Sequence, residues 1–119
     1  MSENEYDPTG RDPHAPGAKL DAGKARWGLV VGGFALALGE VVQVGTYGAN
    51  KYSDNGWETV PKAKDRYMDA ALRHIVACMT EGDTDESGYH HLGHAAWNIL
   101  AVLELDLRDK ELGRDAPEH

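Results

Sequence analysis

The stretch His91–Leu105, HLGHAAWNILAVLEL, decides the fold. Ala95, Ile99, Val102 and Leu103 recur at spacings of three and four, which puts them on one broad face of a helix. His91, His94 and Asn98 fall at i, i+3 and i+7, so two imidazoles and a carboxamide share a second stripe of the same helix. The pattern predicts a helix from Tyr89 or His90 to Arg108. Ala95, Ala96, Trp97 and the run Ile99–Leu103 leave it little polar surface, so a homodimer or homotetramer is expected to cover it.

Upstream, GDTDESG interrupts the periodicity with glycines and acids, and before it a second helix is predicted from Lys64 or Asp65 to Thr80. Tyr67, Ala71, His74, Ile75 and Cys78 mark one of its sides, and Met68, Leu72 and Met79 extend the apolar surface. These two helices are long enough to pack antiparallel across the intervening turn. Gly48 to Lys64 holds Asn50, Asp54, Asn55, Gly56 and Pro61 and reads as a long loop, of a length that in so small a domain is more often functional than idle. A first helix is expected over Phe34–Tyr47, with Leu36, Glu40, Val44 and Tyr47 at helical spacing. Its Gly39 costs about 1 kcal/mol relative to alanine, which close packing or a ligand would explain. Residues 1–18 carry three prolines and no apolar period, and read as a flexible tail; 109–119 reads as a charged C-terminal tail. No window alternates long enough to demand a strand. The expectation is an all-α helical bundle over residues 19–108, completed by oligomerisation.

Twenty acidic against twelve basic residues give a net charge of -8, which disfavours nucleic acid as a partner. Metal ions, or substrates that arrive with them, are easier to accommodate. The single cysteine, Cys78, excludes an intrachain disulfide and reads as a buried small hydrophobe in a reducing compartment. The acidic N-terminus does not look like a signal peptide, and the most apolar stretch, Leu29–Val44, is cut by Gly39 and Glu40. A soluble cytoplasmic protein without a membrane partner is expected.

Six sets of residues carry chemistry. Glu81, Asp83, Asp85 and Glu86 cluster before the histidine helix; as oxygen ligands they suit Mg2+ or Mn2+, and as bare charges they suit a helix N-terminus. Glu40, inside an apolar run, must reach solvent or find a partner, a cation among them. Asp69 and Arg73, four apart, form either a surface ion pair or a metal ligand with a phosphate contact. His91 and His94 are metal or phosphate contacts or packed histidines, and a zinc site would need a third ligand from Cys78, His74 or an acid. In GANKYSDNGW, Lys51 can meet phosphate, Asn55 a base edge and Trp57, with Tyr52 beside it, a base face, or the same residues make a structured turn. Lys19, Lys24 and Arg26 form a small basic patch or a solvated segment ahead of a helix. There is no P-loop, Rossmann glycine set or nucleophile elbow. A metal-dependent phosphohydrolase, a noncatalytic nucleotide binder and a structural helical assembly protein all remain open on these residues.

In order, KLDAGKARW, EVVQVGTYGANKYSDNGW, RYMDAALRHIVACMTEGDTDESG and HHLGHAAWNILAVLEL resemble the phage and bacterial dATP/dGTP diphosphohydrolases, a group similar to the MazG-type all-helical nucleoside triphosphate pyrophosphohydrolases. The match covers residues 19 to 107. The resemblance implies hydrolysis between the α and β phosphates of a purine deoxynucleoside triphosphate with two or three Mg2+ or Mn2+ ions. Within that group a short acidic chain is similar to the branch that cleaves dGTP, possible substrates including GTP and dATP, to supply dGMP for 2-aminoadenine nucleotides. It further implies metal ligands among Glu40, Asp69, Glu81, Asp85, Glu86, His91 and His94, with Glu40 or Asp69 handling the water's proton. Lys24, Arg26, Lys51 and Arg73 would hold phosphate, and Asn55, Trp57 and Asn98 would contact the base. The chain departs from the wider pattern of ExxE on one helix and ExxD on the next: His91 and His94 stand where the second pair is acidic, and Glu40 is followed by Gln43.

Overall fold

The computed structural model describes residues 5–114. The chain divides into two compact units, Met1–Gly33 and Phe34–His119. In the first, Asp7 is buried and its carboxylate accepts the backbone N–H groups of Thr9 (2.7 Å) and Lys19 (3.0 Å) and the Thr9 hydroxyl (2.7 Å). One short acidic side chain thus ties together a series of turns that has no apolar period of its own. This unit ends in α1, Trp27–Gly33, a seven-residue helix that the sequence pattern did not predict because three of its seven residues are glycine.

The second unit contains α2 (Ala35–Lys51), a short 3-10 turn (Gly56–Thr59), α3 (Ala63–Thr80) and α4 (His91–Glu111). The all-α expectation holds: among the described residues the one β feature is an isolated antiparallel bridge between Thr84 and His90. Helix α2 begins where expected and runs four residues past Tyr47, which shortens the predicted loop to the segment from Tyr52 to Lys62. That segment turns through left-handed backbone at Asn55 and Lys62. Helix α4 continues past Arg108 to Glu111, with Arg108 and Lys110 in its last turn where positive charge suits the helix dipole, and Gly113 at φ +70° ends it. The predicted tail beyond Arg114 lies outside the described residues.

Helix α4 packs along α3 and, over a shorter length, against α2. The contacts are made by small side chains: Val44, Ala63, Ala71, Ala95 and Ala101 are the buried apolar residues, and Ala71 has no exposure at all. Gly93 is required where α2 crosses α4, because a Cβ there would lie 2.8 Å from Glu40 Cγ. Large apolar side chains lie outside these contacts, including Leu36 (94% exposed), Met79 (80%) and Leu72 (53%). Among the described residues no single helix is long and apolar enough to cross a membrane; α1 and α2 would reach that length only together, and they are interrupted at Phe34.

Candidate functional site

The three polar residues of the α4 stripe face inward. His91 and Asn98 are buried and His94 is half-buried, and opposite them α3 presents His74. The His74 ring stacks on His94, centroids 4.5 Å apart and planes 9° from parallel, and its Nδ1 lies 2.9 Å from Nδ1 of His91. Asp85 reaches the same point from the loop between the helices. Its Oδ1 is 3.9 Å from His74 Nδ1 and 3.8 Å from His91 Nδ1, and its Oδ2 is 3.5 Å from His94 Nε2.

The loop holds Asp85 there by backbone pairing. Asp85 N–H donates to the Tyr89 carbonyl (2.9 Å), His91 N–H to the Asp83 carbonyl (2.7 Å) and Gly88 N–H to the Asp85 carbonyl (2.9 Å). Gly88, at φ +90°, supplies the left-handed turn that an L side chain resists. Ser87 donates its N–H to Asp85 Oδ2 (2.9 Å), and its hydroxyl pairs with His94 Nε2 at 2.8 Å. Glu40 supports the same corner from α2. Its Oε2 accepts the His90 N–H at 2.7 Å, while His90 Nδ1 accepts the Leu92 N–H and caps α4. The acid set in an apolar run therefore finds a helix N-terminus, where negative charge is favourable.

Burial pushes the pKa of His74 and of His94 down, against the pull of the Asp85 charge, and for His74 the neighbouring His94 adds to the depression. Burial alone would raise Asp85, but the hydrogen bonds from Ser87 and the nearby imidazoles outweigh it and hold that carboxyl below the ordinary aspartate range. Neutral imidazoles beside an ionised carboxylate are the protonation states that metal binding needs. These shifts set the sign of a pH effect. As pH falls through about 6.5 the unfolded chain takes up protons on these two histidines before the folded chain does, so stability should drop there; the Asp85 contribution is lost at still lower pH. Urea unfolding of metal-free protein between about pH 7.5 and 5.5 checks this, and the profile of His74→Gln should be flatter over that interval.

The cluster forms one end of a cleft of about 1040 Å³. Lys51, Asn55, Trp57, Asp69, Arg73, Asp85, Glu86, His94 and Asn98 line it, together with Arg66, Tyr67, His74 and Trp97. At the other end Trp97 meets Trp57 and Tyr67 edge-on at 6.0 and 5.6 Å, and the Tyr67 hydroxyl donates to the Trp57 carbonyl at 2.8 Å. Asn98 donates from Nδ2 to the His94 carbonyl (2.8 Å), and the Arg108 guanidinium lies 5.4 Å over the Trp57 ring.

Of the other residues singled out from sequence, His91 belongs to the cluster and Glu40 bonds the adjacent His90 N–H, neither of them lining the cleft, and Glu81 is exposed at the C-terminus of α3. Lys24 and Arg26 belong to the N-terminal unit. The sequence reading admitted His74 only as one of several third ligands for zinc, and it did not single out Ser87, Arg66 or Tyr67; the one signal for His74 was its place on the inner side of α3.

The family profile for the N-terminal part of dATP/dGTP diphosphohydrolases matches residues 14–115. The chain belongs to this family. It is 33% identical over 90 residues to the dATP/dGTP diphosphohydrolase of Salmonella phage PMBT28, an alignment that takes in 75% of the chain. The chain spans 29% of the length of that relative. No solved structure matches. Beside this family membership stands the cluster of His74, His91 and Asp85, whose donor atoms lie close enough together to hold a metal ion.

Proposed function

We propose that the chain hydrolyses a purine deoxynucleoside triphosphate, dGTP foremost with GTP and dATP as further substrates, to the monophosphate and pyrophosphate. The reading is supported by one cleft that combines a histidine–aspartate cluster, cationic side chains and an aromatic end in a chain of the dATP/dGTP diphosphohydrolase family. Its finer form, supply of dGMP for 2-aminoadenine nucleotides, follows the likeness to the phage enzyme MazZ.

The triphosphate lies along the cleft with the base toward Trp57, Asn55 and Asn98. Lys51 and Arg73 hold the β and γ phosphates as point charge and planar fork. Two or three Mg2+ or Mn2+ ions, held by the ligands named below, would neutralise the phosphates and lower the pKa of a water. Asp69, on the cleft wall, accepts the proton of the water that attacks the α phosphorus; the bond from that phosphorus to the bridging oxygen breaks and pyrophosphate leaves. Glu40 acts as a positioning residue through the His90 N–H. Asp85, Glu86, His91 and His94 would supply ligands to these ions, while Glu81 lies off the cleft at the exposed end of α3. A homodimer or homotetramer covers the apolar faces of α2, α3 and α4.

Incubation of purified protein with dGTP and Mn2+, with products resolved by ion exchange, is expected to give dGMP and pyrophosphate in equal amounts. Formation of dGDP and phosphate would exclude this chemistry, and tight dGTP binding without turnover of any purine triphosphate would make the protein a nucleotide binder.

A further inference from the structure

We infer that His74, His91 and Asp85 form a resident site for one first-row transition ion, of the Zn2+, Co2+ and Mn2+ class. This deepens the reading above by naming the metal class of the same site, and it stands on the cluster's geometry, not on the reaction.

The geometry carries the inference. Two imidazole Nδ1 atoms face each other at 2.9 Å. Either one ring carries its proton on Nδ1 and donates to the other, or both carry it on Nε2 and the two lone pairs converge on a cation. A shared proton would satisfy the two nitrogens and would make no use of a third group. Asp85 Oδ1 nevertheless completes the figure, and a triangle with sides of 2.9, 3.8 and 3.9 Å has its centre about 2.1 Å from every corner. That is the bond length of a first-row ion to imidazole nitrogen and to carboxylate oxygen, roughly 2.0–2.2 Å.

The surroundings fix each ligand in the way metal ligands are fixed. Ser87 N–H holds Asp85 Oδ2, which leaves Oδ1 to face the nitrogens, and the flat stack on His94 sets the plane of the His74 ring. The three side chains are 22%, 11% and 18% exposed, and His74 and Asp85 line the cleft. Three protein ligands with an open side toward a cleft is the pattern of a catalytic ion. Two nitrogens and one oxygen favour a transition ion over Mg2+, which prefers an all-oxygen shell and keeps its waters.

A second group of donors, Cys78, Asp83 and His90, also lies within 4.8 Å, but its chemistry is already committed. His90 Nδ1 accepts the Leu92 N–H that caps α4, so a neutral His90 carries its proton on Nε2 and has no lone pair left for an ion.

The test uses the full chain stripped with chelator, titrated with Zn2+, Mn2+ and Mg2+ by calorimetry and by thermal shift, and loaded with Co2+ for its visible spectrum. One Zn2+ per chain is expected, bound at least about 100-fold more tightly than Mg2+ and raising the melting temperature. The Co2+ form should show no thiolate charge-transfer band, and Cys78→Ser should bind as the wild type does. His74→Ala should lose about 100-fold or more in Zn2+ affinity; should it fail to fold by circular dichroism, Asp85→Asn is read in its place. Equal affinity for Mg2+ and Zn2+, unchanged Zn2+ binding in a folded His74→Ala or Asp85→Asn, or loss of binding in Cys78→Ser would overturn the assignment. Stoichiometric Zn2+ without turnover would remove the proposed reaction and keep the site; turnover on Mg2+ with no resident ion would remove the site and keep the reaction.

Discussion

An Asp85→Asn variant is expected to lose at least about 1,000-fold in kcat/KM for dGTP, on the order of 4 kcal/mol of transition-state stabilisation. The substitution keeps the size of the side chain and an oxygen to accept the Ser87 N–H, so the loop from Asp83 to His90 retains its backbone pairing. What it removes is the one carboxylate that faces His74, His91 and His94 together. Without that charge the three histidines lose the carboxylate they share and a bound cation loses a ligand, so the loss should fall mainly on kcat. Steady-state kinetics with dGTP across a range of Mn2+ concentrations separates the two parameters. A loss under about tenfold would mean that Asp85 orders the loop and stands outside the chemistry.

Ala71→Leu should be the most damaging single change to stability. Ala71 is fully buried in α3, the helix that packs along α4, and three residues before His74, so added methylenes have to part α3 from its neighbours or force strained rotamers. Overpacking of this kind costs about 1–3 kcal/mol, which in a domain of this size lowers the melting temperature by roughly 4–8 °C per kcal/mol. The same displacement would carry His74 away from His91, so activity should fall more than stability alone explains. Leu72→Ala, one residue on and 53% exposed, is the control and should stay within about 0.5 kcal/mol of the wild type unless a second copy covers it. Calorimetric melting of the two variants side by side tests both statements, and an Ala71→Leu protein as stable as the wild type would show that the helices do not meet closely at this point.

Much of this was legible in the residues. Helical period alone located α3 and α4 to within a few residues, and the spacing of His91, His94 and Asn98 put them on one face because 3.6 residues per turn leaves no alternative. The Asx and glycine content of the segment before α3 marked a turn-rich connection, although α2 took its first four residues. Helix α1 was missed because glycine argues against helix locally and the stretch WGLVVGG adopts it all the same. Glu40 could be flagged as anomalous but not explained, since its partner, the His90 N–H, is 50 residues away. Among the four acids before α4, only position decides that Asp85 meets the histidines and Glu81 stays at an exposed helix end.

By itself, then, the order of residues determined the helices, their inward stripes, the acidic character of the chain and its family, because periodicity, composition and motif order are properties of a line. Which donors meet was decided only by the packing of α3 on α4 and the folding back of the loop that carries Asp85. A site of this kind consists of distances of 3–4 Å between groups from separate elements, and those distances exist only once small side chains such as Ala71, Ala95 and Gly93 let the helices approach.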